Sequence, residues 1–159
     1  SQIIHIVDES DPRIAPYRAI RERDLVGREG RFIAEGKVVL SVLFATRRFD
    51  VESVLILEQR LAGMETTLAN APAEMPVYVA TQSVLDAIAG FHIHRGILAL
   101  GRKRPADDAT ALLAGLPSQA LVVALVGISN HDNVGAIFRN AAAFEADAVL
   151  LDSSSCDPL

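Results

Sequence analysis

Asn130, Asn133, Gly135 and Arg139 lie close together in the stretch GISNHDNVGAIFRN, directly after the apolar run ALVVALVG. Side-chain amides just before an apolar-periodic segment cap helices, and the first free N–H groups of the helix then face any anion or ribose beyond the strand. A glycine in the opening turns of a helix lets a ligand come close to the backbone. Arg139 is the one cation of residues 105–159. A guanidinium is suited to holding a phosphate, or the charge that develops on a reacting hydroxyl. Its pKa, above about 12, makes it a poor general base. Spacing alone favours a structural reading: Asn130 and Asn133 only cap, Gly135 and Ala141 to Ala143 only permit tight packing, and Arg139 is solvated.

The elements that must position these residues follow from periodicity. ALVVALVG suits a strand buried on both faces; a helix over Asp132 to Phe144 and a second strand, AVLLD, complete one βαβ unit. Upstream, Ile3 to Val7 reads as a strand, and Asp11-Pro12 supplies the cap and first-turn proline of a helix bearing Ile14, Tyr17 and Ile20. RERDLVGREGR reads as a loop, FIAEG as a strand, and Val39 to Phe44 as an apolar helix face. VESVLIL, a helix over Leu61 to Leu68, VYVA, a helix around Val84 to Ile88, and GILAL continue the alternation. Such a β/α series builds a mostly parallel sheet covered by helices.

Charge divides the chain. Residues 1–104 hold 14 of the 15 Lys+Arg and 13 of the 20 Asp+Glu, a balance of +1; residues 105–159 set one arginine against seven acids, a balance of −6. The overall charge of −5 argues against a uniformly basic nucleic-acid binder and places the basic capacity in the N-terminal part. Composition shifts at GRKRPADDATALLAGLPSQ. The expected organisation is therefore a domain over 1–104, a linker over 105–118, and the start of a second domain over 119–159. A lone βαβ unit buries too little to stand alone, so the second domain reads as incomplete. The single cysteine, Cys156, excludes an internal disulfide framework, and no apolar leader or membrane-length run appears, so a cytoplasmic setting without a membrane partner is expected. No Gly-x-Gly-x-x-Gly or Walker loop is present.

The stretch SNHDNVGAIFRNAAAFEADAVLLD closely resembles the first motif of the SpoU/TrmH family of RNA ribose 2′-O-methyltransferases. The pattern Asn-x-x-Asn-x-Gly-Ala-x-x-Arg is met by Asn130, Asn133, Gly135, Ala136 and Arg139; Glu145 stands where glycine is more usual. SCDPL resembles the family's continuation after the second strand. Arg28 to Gly36 (REGRFIAEG) and GILAL from Gly96 are similar to the ribosomal-protein-like α/β/α RNA-binding domain that often precedes the methyltransferase domain. The resemblance implies an α/β fold: that small domain, followed by the first βαβ unit of a SPOUT domain whose trefoil knot is absent from this chain. It implies an RNA (rRNA or tRNA) 2′-O-ribose methyltransferase, inactive or incomplete as these 159 residues. S-adenosylmethionine would be the cofactor of the full-length protein, with none expected on this chain, and a homodimer is usual in the family. Arg139 matches the arginine that activates the ribose hydroxyl, and Asn133 the asparagine that supports it. Asn130, Gly135, Arg28, Arg31, Glu35, His94 and Arg95 are the expected substrate-binding residues.

His92 and His94 alternate with Phe91 and Ile93, which puts both imidazoles on one face of an extended segment. Two ligands are too few for a metal, and none is expected. Arg95, Arg102, Lys103 and Arg104 form one basic concentration, and Arg18, Arg21, Arg23, Arg28 and Arg31 another. Both could track phosphates. Glu22, Asp24 and Glu29 interleave the second, which suits a salt-bridged surface equally well. The rival to the enzyme is a non-catalytic RNA-binding module or a truncated fragment.

Overall fold

The computed structural model describes residues 2–18, 30–90, 92–105 and 108–156. The chain forms two compact units, Ser1–Arg104 and Pro105–Leu159.

In the first unit a five-stranded sheet has the order β1-β4-β3-β5-β2, with β1 Gln2–Ile6, β2 Arg31–Glu35, β3 Asp50–Leu57, β4 Pro76–Ala80 and β5 Ile97–Arg102. Helices α1 (Lys37–Thr46), α2 (Glu65–Leu68) and α3 (Gln82–Ala89) alternate with the strands, and 3-10 segments occupy Pro12–Tyr17 and Glu58–Met64. The side-chain period of two explains why β3 is apolar throughout its second half: Leu55 and Leu57 enter one core with Tyr17, Leu85 and Ile88, while Val54 and Ile56 enter the other with Leu40, Phe44 and Met64. The result is a three-layer α/β/α unit with a core on each side of the sheet.

The sheet is mostly parallel, as expected, and β5 is the exception. β1, β4 and β3 run parallel, but β5 is antiparallel to both β3 and β2. A strand buried on both faces reads the same in either direction, so periodicity cannot orient it. The observed direction places Arg102 opposite Arg31. Like charges facing across a ladder repel. Glu52 relieves them, accepting from Arg102 Nε at 2.7 Å and pairing with Arg31 Nη2 at 2.9 Å. Burial pushes the Glu52 carboxyl up, but the two arginine hydrogen bonds outweigh it and hold the group below the usual range.

Local expectations hold with adjusted edges. Asp11 accepts from the Arg13 N–H at 2.9 Å at the start of Pro12–Tyr17, yet the segment is 3-10, with Pro16 inside it. Tyr17 is buried, its hydroxyl 2.7 Å from that of buried Ser53, so neither polar atom is left unmatched in the core. The span expected as one helix over Leu61 to Leu68 is a 3-10 segment followed by a single turn of α-helix. The loop reading of RERDLVGREGR falls largely outside the described residues.

The second unit contains α4 (Ala109–Ala114), β6 (Val122–Leu125), α5 (His131–Ala143) and β7 (Ala148–Leu151). β6 and β7 pair in parallel, Val122 with Ala148 through Leu125 with Leu151. Asp147 closes one end of the pair: its N–H donates to Leu121 O and its carboxylate accepts from Leu121 N, both at 2.8 Å. β6 was expected to be buried on both faces. Instead Val122 and Ala124 are exposed while Leu125 is buried, so only the face shared by Val123 and Leu125 is covered. Among the described residues β6 pairs with β7 alone.

Candidate functional site

β6 leads through Gly127 and Asn130 into α5. Asn130 has extended backbone angles and is the helix cap: its side-chain oxygen accepts from the Asn133 N–H at 2.9 Å. The capping role read from the sequence is thus realised by Asn130, and its amide nitrogen stays free for a ligand. The Asn133 side chain is exposed at the first turn. Val134 and Ala141, seven residues apart and so on one helical face, are the buried residues of α5.

Arg139 is exposed and, among the described residues, has no ion-pair or hydrogen-bond partner. It stands four residues after Gly135, on the same stripe of the helix, and helical side chains lean toward the N-terminus. Its Nη1 lies 3.8 Å from where a Gly135 Cβ would stand. The guanidinium therefore reaches back over the bare backbone of the preceding turn. Asn133 and Arg139, six residues apart, leave the helix about 120° apart around its axis, so it is this backward lean that carries the charge toward the strand end.

That strand end is closed by residues whose role the sequence reading missed. The Asp152 carboxylate accepts from Gly127 N at 3.1 Å, Ser155 N at 2.9 Å and Ser155 Oγ at 2.6 Å, and from Ser154 Oγ. Ser155 Oγ in turn accepts from Ile128 N at 3.1 Å, and Cys156 N donates to Ile128 O at 2.8 Å. The hydroxyls of Ser154 and Ser155, followed by the Gly127 N–H, hold the Asp152 carboxyl well below the usual carboxylate range. The signal was present: an Asp-Ser-Ser-Ser run after a strand favours local side-chain to backbone bonds. With four donors on it, Asp152 is a clamp between the two strand-end loops.

In the first unit, Arg28 lies outside the described residues. Arg31 pairs with Glu52. Glu35 ends β2, exposed. Arg102 is engaged by Glu52 and Arg104 by Asp50 at 2.9 Å. His92 Nδ1 lies 3.0 Å from Asp86, whose carboxyl is held low first by that contact and then by Gln82; the His92 and His94 rings meet edge to face at 4.8 Å. His94 and Arg95 line a shared groove with Gly36, Lys37 and Arg60. The structure thus brings His94 and Arg95 to the end of β2 that carries Glu35, and leaves Arg31 at the other end of that strand. Among the described residues no three His, Cys, Asp or Glu side chains form a metal-binding group, and no helix is long and apolar enough to cross a membrane.

No family model matches the chain. A Mycobacterium bovis protein named as an uncharacterized tRNA/rRNA methyltransferase is 35% identical over 97% of this chain and 53% of its own length. The chain thus spans about half the length of the curated relative it matches. Among solved structures, an AdoMet-bound rRNA methyltransferase from Sinorhizobium meliloti superposes with a TM-score of 0.71 at 18% identity, covering 99% of this chain and 57% of that one. The SpoU methyltransferase AviRb of Streptomyces viridochromogenes gives 0.68 at 19%, over 92% and 53%. A structure described as an RNA 2′-O ribose methyltransferase gives 0.62 at 25%, over 94% and 56%. The chain shares the mixed α/β fold of these solved methyltransferase structures. In particular it aligns with about half of a tRNA/rRNA methyltransferase of the mycobacterial kind.

Proposed function

We propose that this chain is the RNA-recognition unit and the first βαβ unit of a cytoplasmic, homodimeric S-adenosylmethionine-dependent RNA 2′-O-ribose methyltransferase. The observation that carries this reading is the unpartnered Arg139 guanidinium lying over Gly135, in a helix that begins at the carboxyl end of a parallel strand. The matched Asn-x-x-Asn-x-Gly-Ala-x-x-Arg pattern and the naming of one structural neighbour as a 2′-O ribose methyltransferase support it.

S-adenosylmethionine, when bound to the full-length protein, supplies an electrophilic methyl group. The residues of this chain act on the RNA. Arg139 holds the phosphate beside the target ribose and stabilises the negative charge that develops on the 2′-oxygen in the transition state. Asn133, exposed one turn in, donates or accepts at the same ribose. Asn130 shapes the helix start and presents its amide nitrogen, and Gly135 lets both backbone and guanidinium approach. Methyl-labelled cofactor, cellular rRNA and tRNA, and the full-length protein test this. Nuclease digestion and mass spectrometry should find a 2′-O-methylated nucleoside; label on a base alone, or none, refutes the reading.

A further inference from the structure

Arg139 leaves one task at the reacting hydroxyl unassigned. A guanidinium holds phosphate and offsets negative charge, but it is a poor acceptor for the proton that a hydroxyl must shed as it is methylated. Among the described residues, the other titratable side chains at this strand end are His131 and Asp132 on α5 and Asp152 and Cys156 in the loop after β7. Asp152 is committed to its loop, with the Gly127 and Ser155 N–H groups and the Ser154 and Ser155 hydroxyls donating to it. His131 is exposed at the first position of α5, and its side chain has no hydrogen-bond or ion-pair partner among the described residues.

His131, Gly135 and Arg139 follow one another at intervals of four and so share one stripe of α5. Gly135 lies in the middle, about 40° around the axis and about 6 Å along it from each of the other two. The Arg139 guanidinium leans back along this stripe, with Nη1 3.8 Å from where a Gly135 Cβ would stand. The bare turn therefore has a guanidinium over it and an imidazole at its N-terminal edge, where α5 begins at the carboxyl end of β6. A ribose whose phosphate is held by Arg139 fits along the stripe with its hydroxyl toward the imidazole. Imidazole side chains in general titrate near about pH 6.5, which makes a neutral, proton-accepting ring nitrogen available at neutral pH.

We propose that His131 is the proton acceptor for the ribose 2′-hydroxyl. The proposal rests on the 2′-O-methyltransferase reading above and adds the base that this reading lacks. The hydroxyl proton passes to an imidazole nitrogen and the 2′-oxygen forms its bond to the methyl group. The bond from that methyl to the sulfonium sulfur of S-adenosylmethionine breaks, with its electron pair left on sulfur. The imidazolium then returns its proton to solvent, to which His131 is exposed.

The test is single-turnover methyl transfer by the full-length protein, at saturating RNA and cofactor, from about pH 5 to about pH 8. In the unaltered protein the rate should fall about tenfold per pH unit below about 6.5 and level off above it. His131→Gln should lose about a hundredfold at neutral pH, and the inflection with it. Its RNA affinity, read by fluorescence anisotropy, and its melting temperature should scarcely change. Imidazole added to His131→Ala should restore part of the rate, and Asp132→Asn should keep the inflection. An unchanged rate and pH profile in folded His131→Gln overturns the proposal. So does an inflection that survives in His131→Gln and disappears in Asp132→Asn, which hands the role to the carboxylate. A loss that comes with weakened RNA binding, keeps the inflection and is not rescued by imidazole reduces His131 to a binding residue. No 2′-O-methylation by the unaltered protein overturns the underlying reading itself, and the role of His131 with it.

Discussion

The Arg139 guanidinium lies back over Gly135, with Nη1 3.8 Å from where a Gly135 Cβ would stand. That spacing is ordinary van der Waals contact, so a methyl fits. Gly135→Ala should keep the fold and stabilise the helix by up to about 1 kcal/mol through propensity alone. Gly135→Leu should displace the guanidinium and cut methyl transfer by the full-length protein at least tenfold. Melting curves paired with turnover check both. Unchanged turnover in a folded Gly135→Leu protein would show that the placement of Arg139 over this turn does not matter.

The cap at Asn130 separates structure from ligand binding. Asn130→Ala should cost about 1 kcal/mol, read by denaturant unfolding, because the Asn133 N–H loses its acceptor. Asn130→Ser restores an oxygen acceptor but no amide N–H₂. If Asn130 also touches substrate, the serine variant should regain stability without regaining RNA methylation. Full recovery of both would confine Asn130 to the capping role.

The Asp152 clamp gives a pH dependence with a definite sign. Its carboxyl is held low in the folded protein, so its contribution is present above the unfolded value of about 3.9 and is lost as pH falls below that. Amide exchange at Gly127 and Ser155 should therefore quicken as the solution is acidified through pH 4, relative to amides in β3. Asp152→Asn should show fast exchange at Gly127 already at pH 7. Protection at Gly127 that does not respond to the Asn substitution would contradict the clamp.

Much of this architecture was legible in the sequence, and the gaps have physical causes. The alternation of elements showed because Val54 to Leu57 and the helix faces of α1 and α3 carry it in their own periodicity. The direction of β5 did not, since Ile97 to Leu100 are buried on both faces and their order carries no polarity. Cationic residues were easy to count, but which of them are free was not. Glu52 and Asp50, which engage Arg102 and Arg104, lie 50 and 54 residues away in sequence. Arg60 is isolated among Gln59 and Leu61, and only folding brings it to Arg95. At the strand end, Asn130 and Arg139 stood out through their spacing, whereas Asp152 and Ser155 looked like an ordinary polar turn until their bonds to Gly127 and Ile128 were seen.

The most direct measurement is single-turnover methyl transfer at saturating RNA and cofactor, comparing the full-length protein with its Arg139→Ala and Arg139→Lys variants. The alanine variant should be slower by about two to three orders of magnitude, the scale for loss of a preorganised charged donor. Lysine should rescue poorly, since an ammonium lacks the planar fork that holds phosphate through two bonds. Cofactor affinity and melting temperature should scarcely change. Near-wild-type turnover in a folded Arg139→Ala protein would contradict the account and return this arginine to the solvated surface.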